Sequence, residues 1–79
     1  MANIITFKNI KQSTLILIPT KEKESRYIGP RYKIMVYGKH KGDARRRGKI
    51  WELYLFGIGW KFATELNEVK TTLQQIYIK

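Results

Sequence analysis

Apolar and polar positions alternate most cleanly over residues 31–37. There Tyr32, Ile34 and Val36 fall on one side of an extended chain, and Lys33, Met35 and Tyr37 on the other. Residues 50–56 repeat the pattern, with Trp51, Leu53 and Leu55 on one side and Ile50, Glu52, Tyr54 and Phe56 on the other. A period of two is that of a half-buried strand. The two wholly apolar sets are expected to line the same side of a sheet, because a one-residue slip would turn one of them out to water. Gly57-Ile58-Gly59 then turns the chain, and Trp60-Lys61-Phe62-Ala63 reads as a third strand in which Trp60 and Phe62 share a face opposite Lys61. From Thr64 the period changes. Leu66, Val69, Leu73 and Ile76, with Tyr77 alongside, recur every three or four residues, which is the apolar stripe of an amphipathic helix. Thr64 stands where an N-cap side chain accepts a first-turn N–H, and Glu65 and Glu68 suit the positive end of the helix dipole.

Ahead of this unit the pattern is shorter. Residues 3–8 have the β-branched and aromatic content of a strand, Lys11-Gln12-Ser13 reads as a turn, and residues 14–18 form a second strand stopped by Pro19. Four consecutive large apolar residues, Leu15 to Ile18, imply burial on both faces or a covered edge. Residues 20–29, whose alternating charges nearly cancel, read as a mobile linker closed by Gly29-Pro30. The expected fold is α+β: one domain over 1–79, a small antiparallel sheet made of a three-stranded meander plus an N-terminal hairpin, packed against one C-terminal helix. The helix is expected to cover the Tyr32/Trp51/Phe62 side, with Trp51 and Trp60 both in the core. The hairpin either extends the sheet or covers its other face.

Charge changes the picture between the first two strands of the meander. In residues 39–49, six of eleven are Lys or Arg and only Asp43 opposes them, with Gly42 and Gly48 as punctuation. The expectation here is a long cationic loop. The chain carries a formal net charge of +10, and nine of its 16 Lys and Arg lie between Arg26 and Lys49. Clustered charge raises the local potential and attracts phosphate backbones. The residues expected to bind nucleic acid are Lys33, Tyr37, Lys39, Lys41, Arg45, Arg46, Arg47 and Lys49. The guanidinium groups of Arg45, Arg46 and Arg47 suit phosphates or guanine edges.

Other chemistry is poorly supplied. Without cysteine there is no disulfide and no thiolate site, and one histidine is too few for most His-based metal sites. No cofactor and no metal is expected. His40 and Asp43 share the basic stretch, but a flexible loop does not preorganise a base and its orienting partner, so an enzyme is not expected. No apolar run reaches the length of a membrane span, and the first residues lack the charged-then-apolar layout of a signal peptide. The expected location is the cytoplasm, that of the host cell if the protein is phage-encoded, and no membrane partner is expected. Eleven Ile and eleven Lys suggest an AT-rich genome of the kind that phages and mobile elements have.

The order strand, strand, strand, helix from Tyr32 to Tyr77 resembles the AP2 and phage-integrase N-terminal group of DNA-binding domains. The residues that carry the resemblance are Trp51 in the middle strand, the glycine turn, and Phe62-Ala63-Thr64 leading to Glu68-Val69. In that group the sheet face away from the helix enters the major groove. The resemblance therefore implies that Lys33, Tyr37 and Glu52 face the groove. The expected function is that of a small basic nucleic-acid-binding protein, accessory or regulatory, with DNA ahead of RNA, from a phage or mobile element. The alternative is a phage or mobile-element inhibitor of host defence, docking on a host protein or ribonucleoprotein.

Overall fold

A computed structural model describes residues 3–20 and 28–78. Five strands, β1 (Leu15–Pro19), β2 (Ile28–Val36), β3 (Lys39–Arg47), β4 (Ile50–Leu55) and β5 (Gly59–Ala63), are followed by helix α1 (Leu66–Tyr77). The strands form one sheet in chain order, each antiparallel to the next. This is a small α+β fold. The charged stretch expected as a linker falls mostly on residues 21–27, outside the described residues.

The basic stretch 39–49 is a strand and a turn, not a loop, and it corrects the expectation for the middle of the chain. Two tight connections force it. Val36 pairs with Lys39, leaving only Tyr37 and Gly38 between β2 and β3, and Arg47 pairs with Ile50, leaving only Gly48 and Lys49 before β4. Gly48 has φ +61°, at the turn position that a II′ hairpin gives to glycine. Once the turns are this short, nothing remains to loop out. The run lacks a hydrophobic alternation because its buried positions are the small residues Gly42 and Ala44. Small size at the centre of the sheet has a packing role: Tyr32 on β2 and Trp51 on β4 approach across β3, with ring centroids 5.9 Å apart. Backbone hydrogen bonds to both neighbours hold β3 whatever its side chains prefer.

Pairing between β2 and β3 is irregular in two places. Ile34 pairs with Gly42 but Met35 with His40, so Lys41 is an extra residue in β3. Without it His40 would share the buried side with Gly42; the bulge turns it to the opposite face. The second irregularity lies between Ile28 and Arg31. Gly29 and Pro30, expected to close a linker, are inside the strand there, where an interrupted ladder tolerates the missing proline N–H.

The core lies between one sheet face and α1. Leu15, Leu17, Tyr32, Ile34, Val36, Ala44, Trp51, Leu53, Leu55 and Ala63 supply the sheet side, and Val69 and Leu73 the helix side. Both apolar sets expected to share a face do so. The N-terminal segment joins the same layer through Phe7, which is buried, and through a single bridge between Ile5 and Leu17 rather than a full strand. The hairpin's second half, β1, thus extends the sheet. Helix entry differs from expectation: Glu65 is the N-cap residue without a side-chain cap, and the Thr64 hydroxyl donates instead to the Glu68 carboxylate. The difference follows from the extended backbone at Glu65, which starts the helix one residue later than a Thr64 cap would.

Candidate nucleic-acid interface

The sheet face opposite α1 carries the exposed chemistry of the molecule. Antiparallel register sets it out in two rows across the strands. One row runs Lys33, Asp43, Tyr54, Trp60; the next runs Arg31, Arg45, Glu52, Phe62. Met35 and His40 form a shorter row beyond the bulge, and Arg47 stands beside Ile50 at the other end. The face therefore holds cations toward β2 and β3 and aromatic rings toward β4 and β5.

Trp60 and Phe62 overturn an expectation. Both were expected in the core, yet they are 59% and 62% exposed, while Trp51 alone of the two tryptophans is buried, at 6%. The cause is register. Leu55 pairs with Gly59, with three residues between them, so the buried parity of β4 passes to Gly59, Lys61 and Ala63. Ala63 fills the buried position on β5, and the two large rings point the other way. Tyr54 and Phe56 are also exposed on this face. The rings touch in series: His40 to Phe56 at 5.0 Å, Phe56 to Tyr54 at 6.1 Å, Tyr54 to Trp60 at 5.1 Å and Trp60 to Phe62 at 6.4 Å.

Two carboxylates sit among the cations and organise them. Asp43 accepts from Arg31 Nη2 at 3.4 Å and pairs with His40 Nε2 at 3.0 Å. Glu52 pairs with Arg47 Nε at 3.3 Å. Arg31, Lys33, Arg45 and Arg47 outnumber these two acids, so the face stays cationic. A shallow depression of about 240 Å³ lies between the two zones, lined by Arg31, Asp43, Arg45, Glu52, Tyr54 and Trp60 among others. His40 and Asp43 are thus held by a strand and by each other, which corrects the expectation of a floppy pair.

The eight residues expected to bind are not brought together. Lys33, Arg45 and Arg47 lie on the open face, and Lys41 is the half-buried bulge residue beside them. Arg46 pairs with the buried Trp51, so it belongs to the helix side, where its Nε donates to the Gly48 carbonyl. Lys39 pairs with Val36 on that same side. Tyr37, at φ 51°, and Lys49 occupy the turns at opposite ends of β3. Glu52 lies on the open face, opposite Arg45. Residues that sequence reasoning passed over are Arg31, Phe56, Trp60 and Phe62; the signal for the last two was the odd number of residues in the β4–β5 turn.

Among the described residues no group of three or more His, Asp and Glu is placed to hold a metal ion, and no helix is long and apolar enough to cross a membrane. No protein-family model, curated protein or solved structure matches the chain.

Proposed function

We propose that this is a nucleic-acid-binding protein of the accessory or regulatory kind, which takes its ligand across the helix-free face of the sheet. One observation carries the reading: Arg31, Lys33, Arg45 and Arg47 share that face with exposed Tyr54, Phe56, Trp60 and Phe62. Cations on a rigid sheet neutralise successive phosphates and release their counterions, and aromatic rings beside them offer contacts to sugar or base. Phosphate contacts supply affinity and fix the orientation of the strand; the rings supply what discrimination there is. The resemblance to the AP2 and integrase N-terminal group supports DNA ahead of RNA, because there too the ligand lies on the sheet face away from the helix.

The test separates the arginines by face. Arg45→Gln with Arg47→Gln should weaken binding to DNA and flatten the slope of log K against log salt. The expected change is about 0.9 per lost contact on duplex, or about 0.7 on a single strand. Arg46→Gln, on the helix side, should leave the slope unchanged. A wild-type affinity that is insensitive to salt, with capture of a host protein or ribonucleoprotein that survives nuclease, would sink this reading in favour of an inhibitor.

A further inference from the structure

Resting on that reading, we propose that Trp60 and Phe62 form a platform on which an unpaired nucleobase stacks, so that the preferred ligand is a single strand rather than a duplex. The two rings are two residues apart on β5, an edge strand of the sheet. Two residues along a strand span about 6.6–6.8 Å. The rings stand 6.4 Å apart, centroid to centroid, with their planes only 9° from parallel. The strand rise itself therefore sets the two rings as a parallel stacked pair on the open face.

The other ring contacts on this face do not share the feature. Tyr54 meets Trp60 at 59° and Phe56 at 69°, and His40 meets Phe56 at 68°. Those are tilted or edge-on arrangements, in which rings satisfy one another. Trp60 and Phe62 are parallel to one another and largely exposed. Tyr54, 5.1 Å from Trp60, supports the indole from the inner side. The row that ends in Phe62 leads through Glu52 to Arg45 and Arg31, so a strand whose base stacks on these rings has cations on the β2–β3 side for its phosphates. A base inside a duplex has both faces already stacked and offers none to a ring. DNA and RNA bases both present the required flat face, so the shared chemistry is an unpaired base on a phosphodiester chain.

The decisive ligands are a single-stranded oligodeoxynucleotide, its RNA counterpart, the matching duplex, and a fully abasic strand of equal length. The abasic strand keeps the phosphates and removes the bases. The intact single strand, as DNA or RNA, should bind roughly 5- to 150-fold more tightly than the abasic one, the effect of a stacked base. Trp60→Leu and Phe62→Leu should each abolish that difference with little change in salt slope, and Trp60→Phe should restore part of it. Because both rings are exposed, melting temperatures should stay near wild type. Binding should also quench the fluorescence of the exposed Trp60 and leave that of the buried Trp51. Equal affinity for abasic and intact strands, or duplex bound as tightly as single strand, with a normal salt slope, would overturn the stacking platform and leave the nucleic-acid reading standing. Absence of salt-dependent binding to every strand would overturn both.

Discussion

Gly42 shows how much one residue's size decides. A Cβ built there would lie 2.2 Å from the Tyr54 carbonyl oxygen and 3.0 Å from the Leu55 Cα, both backbone atoms that cannot swing aside. Gly42→Ala should therefore destabilise the domain by about 1–3 kcal/mol, as overpacking does, read as a lowered denaturant midpoint. In the sequence this glycine looks like loop punctuation among lysines and arginines. Its meaning comes from the neighbouring strand, which no local pattern names. The same holds for the three adjacent arginines. They look equivalent in sequence, yet strand alternation sends Arg45 and Arg47 to one face and Arg46 to the other. Trp60 is the opposite case, because its position was legible. An odd number of residues between Leu55 and Gly59 keeps odd-numbered residues together on the buried side, and Trp60 is even. Hydrophobicity argued for burial, and turn length argued against it. Turn length prevailed because the register of a whole strand cannot slip for one ring.

Among the elements, α1 and the apolar faces of β2 and β4 are those the period predicts. Leu73 is fully buried in the core they share. Leu73→Ala should cost about 2–5 kcal/mol, a large share of the stability of so small a domain, and thermal unfolding would show it. A melting temperature unchanged by that substitution would refute the packing of helix on sheet. Phe62, expected beneath this helix, plays no part in the core; Ala63 takes the position, and its small size suits a strand separated from the helix by only Thr64 and Glu65. The element that composition hides is β3. Its nine residues include five Lys or Arg, and nothing in their propensity asks for a strand. Pairing on both sides supplies the reason, since two short turns lock it between β2 and β4 before its own preferences count. The bulge at Lys41 belongs to this scale too. It is invisible in the sequence, and it alone brings His40 onto the open face beside Asp43 and Phe56.

At the scale of the whole sheet, segregation is the governing property: one face holds the apolar core shared with α1, and the other is cationic and aromatic. The two carboxylates on the open face limit its attraction for anions. Glu52→Gln should release Arg47 from its 3.3 Å ion pair and remove a like charge to phosphate. Binding to a nucleic-acid strand should tighten, and the salt slope should steepen by up to about 0.9 on duplex or 0.7 on a single strand, measured by titration across a salt series. An unchanged or weakened affinity would mean that phosphates do not lie along this row. What the sequence by itself determined is the α+β class, the two alternating strands, the terminal helix and the excess of positive charge. Each of these depends on local period or on composition, which the chain carries along its own length. Only the tertiary structure decided that the basic run is the central strand, that its arginines divide between two faces, and that Trp60 and Phe62 stand in the open beside the cations. Those outcomes depend on pairing between distant residues, where turn lengths and a single inserted residue set which side of the sheet every side chain meets.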